Sequence, residues 1–152
     1  MLVTEVMTTD VVTCNPEDTV DSVARLMVTH DCGAVPVCDG SRLVGILTDR
    51  DITCRAVATG RSPAAIPVNE IMTKTLFTIE SDEDAEAAVA LMKEQQVRRL
   101  PVVDSTGALI GIISPSDLAP MFASHDVADF LLAVSYWSRR EGHAVQGAAA
   151  RT

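Results

Sequence analysis

Two stretches of the chain set a glycine, two apolar residues, a hydroxyl residue and an aspartate at one spacing. They are Gly45-Ile46-Leu47-Thr48-Asp49-Arg50-Asp51 and Gly111-Ile112-Ile113-Ser114-Pro115-Ser116-Asp117. An apolar run that ends in Thr or Ser reads as a strand turning into a helix, with Thr48 and Ser114 at the N-cap. Pro115 then falls at the first helical position, where its missing N–H does no harm. The free N–H groups of such a turn favour an anion, phosphate being the usual one. Asp51 and Asp117, three residues further on, could accept hydrogen bonds from two adjacent ribose hydroxyls. The same Thr/Ser-to-acid spacing is also a capping box, which needs no ligand. The glycines, which permit close backbone approach, and the recurrence in phase favour the ligand reading, and the capping reading stays beside it.

The elements that position these turns repeat as well. A shift of 65 places Met7-Thr8 on Met72-Thr73, Leu26-Met27 on Leu91-Met92, and Pro36-Val37 on Pro101-Val102. After one inserted residue in a polar turn the shift is 66, and Gly45, Thr48 and Asp51 fall on Gly111, Ser114 and Asp117. In each copy a β-prone run (Val11-Val12-Thr13 or Leu76-Phe77-Thr78) precedes an acidic helix start, the second being Glu80-Ser81-Asp82-Glu83-Asp84. Apolar residues at Val20, Val23, Ala24 and Met27, and at Ala85, Ala88, Val89 and Met92, then keep the i, i+3, i+4, i+7 spacing of an amphipathic helix. A hairpin and a final helix complete each copy. Pro36 and Pro101 do not suit a central strand, which places them at a strand start or an unpaired edge. The expected fold class is α/β (α+β): two β-α-β-β-α repeats packed sheet to sheet about a pseudo-two-fold, since a repeat of about 55 residues supplies little core alone. Expected boundaries are residues 1–59 for the first repeat, 60–69 for a linker, 70–122 for the second repeat, and 123–152 for a C-terminal helix and flexible tail.

Composition narrows the function. The 152 residues carry 12 Lys+Arg against 21 Asp+Glu, a net charge of -9 that disfavours nucleic acid and anionic membrane as partners. Aromatic residues are 3% of the chain, too few for base-stacking platforms. No apolar run is long enough to span a bilayer, and Met1-Leu2-Val3-Thr4-Glu5 does not read as a signal peptide. A cytoplasmic protein is expected.

With both turns and both strands in view, the chain resembles a known family. The Met-Thr openings, the Val-Pro-Val and Leu-Pro-Val-Val-Asp strands, and the Gly-Ile-Leu-Thr-Asp-Arg-Asp and Gly-Ile-Ile-Ser-Pro-Ser-Asp turns are similar to a tandem pair of cystathionine-β-synthase-type (CBS) domains, a Bateman module. The resemblance covers residues 1–122, and it is nearest to short stand-alone actinobacterial CBS-pair proteins of the stress and hypoxic-response type. It implies a regulatory module that binds AMP, ADP, ATP or S-adenosylmethionine in the cleft between repeats, forms a flat homodimer and signals to an unknown protein partner. No cofactor is required on this reading. Carried over, it puts Asp51 and Asp117 on ribose, and Thr48 and Ser114 beside ribose or phosphate. Arg98 and Arg99 match the basic residue that the family often has before the Leu-Pro strand. The first repeat has Gly33 and Ala34 there, so a phosphate at that end would have to use Arg50 or Arg55.

The remaining reactive side chains suggest little chemistry. Ser114 and Asp117 have no histidine or lysine in the repeat-matched framework to activate a nucleophile, so no catalytic residue is expected. Cys14, Cys32, Cys38 and Cys54 all lie in the first repeat, and the first three align with apolar Ile79, Val97 and Val103. They read as small core residues. A Cys14–Cys38 disulfide stays open, because both end β-prone runs of one sheet, and with it an alternative function as a redox-responsive interaction protein without nucleotide. No metal site is expected from the cysteines, or from His30, His125 and His143. Val127, Phe130, Leu131 and Val134 form a further helical stripe, a core or dimer contact, before Tyr136-Trp137 and the Gly/Ala-rich end.

Overall fold

The computed structural model describes residues 1–122 and 124–135. The expectation of a flexible tail beyond Tyr136-Trp137 lies outside the described residues, as does His143. The chain forms two compact units, and each combines the body of one sequence repeat with the leading segment of the other. Unit 1 holds Met1–Thr8, Phe77–Val102 and the residues from Gly111 onward, and unit 2 holds Thr9–Leu76 and Val103–Ile110.

In unit 2, helix α2 (Val20–His30) buries Val23 and Met27 on one face, as its spacing requires. Strands β1 (Ala34–Asp39) and β2 (Arg42–Thr48) pair antiparallel, with Val35 opposite Leu47 and Val37 opposite Gly45. Helix α3 (Asp49–Asp51) continues without a break into a π-helical turn, Ile52–Ala56, and a 3-10 turn, Val57–Thr59. The one-turn helix α4 (Val68–Ile71) closes the unit. In the stretch expected as a linker, Ile66 and Val68 are wholly buried in a cluster with Val20, Val35, Val37 and Leu47. Backbone bonds hold them there, from Val20 N–H to the Ile66 carbonyl and from Val68 N–H to the Asp18 carbonyl.

Unit 1 repeats this arrangement with the N-terminal segment in the place of α4. Helix α1 (Val3–Val6) is tied by its Val3 and Thr4 N–H groups to the Glu83 and Ser81 carbonyls, just ahead of helix α5 (Ala85–Gln95). Strands β3 (Ile79–Glu80), β4 (Leu100–Val103) and β5 (Leu109–Ile113) form one sheet in that order. The one-turn helix α6 (Pro115–Leu118) follows β5, and helix α7 (Ser124–Ser135) ends the described chain. Its stripe is only partly core: Phe130 and Val134 are buried, whereas Leu131 is 43% exposed.

The first expected strand fails for a definite reason. Val11-Val12-Thr13 forms no strand, and the chain joins the sheet only at Cys14, in a parallel bridge to Val37. Cys14 donates to the Pro36 carbonyl and accepts from Cys38 N–H. The next bond of a parallel ladder towards the N-terminus would need an N–H on residue 36, and proline has none. Pro36 thus lies inside β1 rather than at its start, with its nitrogen facing an unpaired stretch of edge. In the other unit β3 likewise begins only at Ile79, and the Leu76-Phe77-Thr78 run ahead of it stays outside the sheet.

Candidate functional site

Both turns close as capping boxes. In unit 2 the Thr48 hydroxyl accepts from Asp51 N–H at 3.1 Å, and the Asp51 carboxylate accepts from Thr48 N–H at 3.0 Å. In unit 1 Asp117 Oδ2 accepts from the backbone N–H of Ser114 at 2.7 Å and from its hydroxyl at 2.6 Å. A third partner comes from the Met-Thr opening of the other repeat. Thr73 donates to both oxygens of Asp51 at 3.3 Å, and Thr8 donates to Asp117 Oδ1 at 3.4 Å. The methionines fill the space above the glycines, so a methyl group on Gly45 would meet Met72 Sδ at 2.5 Å and one on Gly111 would meet Met7 Sδ at 2.5 Å. The sequence shows each Met-Thr pair in phase but not what it touches; that recurrence was the available signal.

The two turns differ in what they leave open. Asp51 is only 8% exposed, and Arg55 reaches it from the next helical turn with Nε 3.9 Å from Oδ1. Arg55 Nη1 also donates to the Ile71 carbonyl at 3.1 Å, at the end of α4. This arginine therefore ties the turn to the end of α4 through Nη1, with its side chain 46% exposed. Arg50 is exposed. Asp49 lies beside the turn, where a methyl group on Gly33 would come within 2.9 Å of its Oδ2.

In unit 1, by contrast, Arg98, Arg99, Ser114, Pro115 and Ser116 line one cleft of about 260 Å³ with Leu131, Val134 and Ser135 of α7. The structure thus brings together the two arginines and the serine singled out from sequence, although they come from separate segments. Asp117 is not part of the lining; it reaches the cleft by holding Ser114, whose hydroxyl lies 2.8 Å from that of Ser116. Helix α6 has four residues, too few aligned peptides for a strong dipole, so the guanidinium groups supply the positive charge. The wall from α7 escaped the sequence reading, because a helical stripe does not show what it packs against.

The chain's own residues favour packing over redox chemistry at the cysteines. All four are free thiols. Cys14 and Cys38 are neighbours in the sheet, as expected, but Cys14 pairs with Val37 and shares its core cluster, and Cys38 is the next residue along. The register of β1 shifts between Val37 and Cys38, and the disulfide that the sequence left open is not formed, both thiols being free. Burial, with smaller contributions from Asp18 and Cys38, pushes the Cys14 thiol up to about 12, and burial raises Cys38 as well. Among the described residues no group of three or more His, Cys, Asp or Glu side chains is placed to share a metal ion. No helix among them is long and apolar enough to cross a membrane.

Comparison with known proteins agrees with this geometry. The CBS domain family model matches residues 3–56 and again 68–123. The chain belongs to the CBS domain family. The CBS domain-containing protein YhcV of Bacillus subtilis is 41% identical over 126 residues, 83% of this chain and 89% of that protein. Hypoxic response protein 1 of Mycobacterium tuberculosis is 35% identical, over 81% of this chain and 87% of its own length. Among solved CBS structures, the domain pair of MJ0100 in complex with 5′-methylthioadenosine and S-adenosyl-L-methionine superimposes with a TM-score of 0.71 at 26% identity, covering 81% of this chain and 100% of that one. CBSX2 in complex with AMP gives a TM-score of 0.68 at 27% identity, covering 79% and 94%.

Proposed function

We propose that this CBS pair is a non-catalytic regulatory module that binds an adenosine-containing ligand in the unit 1 cleft and, as a homodimer in the cytoplasm, passes the resulting change to a protein partner. The observation that carries this reading is the convergence of Arg98, Arg99 and Ser114 on one cleft with an apolar wall. Guanidinium forks engage phosphate oxygens in pairs. Among the described residues Asp117 Oδ1 takes a single long contact, from Thr8, so it retains lone pairs for a ribose hydroxyl. Leu131, 43% exposed, offers a surface for the adenine ring. The AMP, 5′-methylthioadenosine and S-adenosylmethionine held by CBSX2 and MJ0100 support the ligand class.

Catalysis is not part of the proposal, because the Ser114 hydroxyl is already bonded to Asp117 and no histidine or lysine among the described residues lines the cleft to take its proton. Calorimetric titration with AMP, ADP, ATP and S-adenosylmethionine tests the reading. Saturable heat is expected for at least one of them, and weaker heat after Arg98→Ala with Arg99→Ala. Four silent titrations would overturn it.

A further inference from the structure

The two capped turns have the same backbone plan and different charged groups beside it. In unit 1 the residues ahead of β4 are Arg98 and Arg99, both exposed and both lining the cleft with Ser114 and Ser116. In unit 2 the matching positions are Gly33, just ahead of β1, and Ala34, its first residue. The space that a side chain at position 33 would take is held by a carboxylate: a methyl group on Gly33 would come 2.9 Å from Asp49 Oδ2 and 3.3 Å from its Cγ. Two bonds fix this arrangement. Asp49 N–H donates to the Gly33 carbonyl at 3.0 Å, and Asp49 Oδ1 accepts from Arg50 N–H at 2.9 Å. The matching residue in unit 1 is Pro115, which has neither an N–H nor a charge. The cations near this turn do not form a pair like Arg98 and Arg99: Arg55 is drawn through Nη1 to the Ile71 and Met72 carbonyls with its Nε 3.9 Å from Asp51, and the exposed Arg50 stands between Asp49 and Asp51.

We infer that the chain sorts ligands by charge: the unit 1 cleft takes ligands bearing phosphate, while Asp49 makes the unit 2 turn a poorer phosphate site. The ligand class rests on the proposed function, but the sorting does not need the adenosine part. A phosphate brought to the unit 2 turn meets Asp49 at close range, and like charges placed together cost binding where opposite charges steer it. The aspartate also occupies the place over Gly33 that matches the arginine position in unit 1.

Amide NMR titration with pyrophosphate alone, and then with AMP, separates the two ideas. Pyrophosphate is expected to shift the resonances of Arg98, Arg99, Ser114 and Ser116 at concentrations at least about tenfold below those needed at Gly33, Asp49 and Arg50, the equivalent of about 1.4 kcal/mol. In Asp49→Asn, which keeps the hydrogen bond from Arg50 N–H and removes the charge, the gap should close. Equal response of both turns in the unmodified protein, no response at Arg98 and Arg99, or an unchanged gap in Asp49→Asn would each overturn the sorting. If pyrophosphate sorts as described while AMP binds no better than pyrophosphate, the charge inference stands and the adenosine reading falls. If AMP binds both turns equally, the reverse holds.

Discussion

The Thr73 hydroxyl lies 3.3 Å from both carboxylate oxygens of Asp51, a contact between residues 22 positions apart. It joins the opening of one repeat to the capped turn of the other, and Thr8 does the same for Asp117 at 3.4 Å. Asp51 is nearly enclosed, so its partners matter more than those of an exposed acid. Thr73→Val should lower stability by about 1.5–3 kcal/mol, the usual contribution of a hydrogen bond to a charged group. Thr8→Val, at an exposed residue with a longer contact, should cost less than about 1 kcal/mol. Urea denaturation of the two variants checks the ranking, and equal losses would remove the distinction between an enclosed and an open turn.

Cys14 is held protonated by burial, with its pKa near 12 against 9.0 for the free thiol. In the native protein at pH 8 it should resist alkylation and react only on unfolding. The sign for stability follows from the raised value. Below pH 9 both the folded and the unfolded thiol keep their proton and stability is unaffected; between 9 and 12 only the unfolded form loses it, so stability falls as pH rises. Reductant should leave the urea midpoint unchanged. A midpoint that drops on adding reductant would restore the disulfide.

Gly45 lies under Met72, and a methyl group there meets Sδ at 2.5 Å and Cγ at 2.9 Å. Met72 is itself buried, so it has little room to withdraw. Gly45→Ala should therefore destabilise by about 1–3 kcal/mol through overpacking. Thermal unfolding measures this, and a neutral result would show that the methionine repacks freely.

Helix α7 is anchored by Phe130, which is wholly buried, 5.4 Å from the Phe122 ring and with Lys93 Nζ 5.7 Å from its centroid. Phe130→Ala should cost about 3–5 kcal/mol, the range for deleting a buried aromatic ring. Leu131→Ser changes a half-exposed residue, so it should leave stability nearly intact while weakening AMP binding. Unaltered AMP affinity in Leu131→Ser would exclude α7 from the ligand site.

Much of the fold was legible because helix periodicity is a local signal. The amphipathic spacing of Val20–His30 and Ala85–Gln95 follows from burying one face, and both helices form as the spacing requires. The strand at Val11-Val12-Thr13 was not legible, since β propensity says nothing of a partner and Pro36 withholds the donor that the ladder needs. The short helices at Val3–Val6 and Val68–Ile71 escaped for the opposite reason. Their stability comes from packing on the body of the other repeat, which no window of sequence contains. At the site, the capping boxes and the Arg98-Arg99 pair could be read from spacing. The exchange of Thr8 and Thr73, the carboxylate over Gly33 and the α7 wall needed three dimensions.

Titration of AMP into the unmodified protein, the Arg98→Ala, Arg99→Ala double variant and Asp117→Ala tests the unit 1 site most directly. Removing one charge-assisted contact of about 1.5–3 kcal/mol should weaken binding about ten- to a hundredfold, and the double variant should lose at least as much. Asp51→Ala, within the enclosed turn, should leave AMP affinity within about twofold of the unmodified protein once its lower stability is accounted for. AMP affinity that is unchanged by the unit 1 substitutions would contradict the account, and so would affinity lost only in Asp51→Ala.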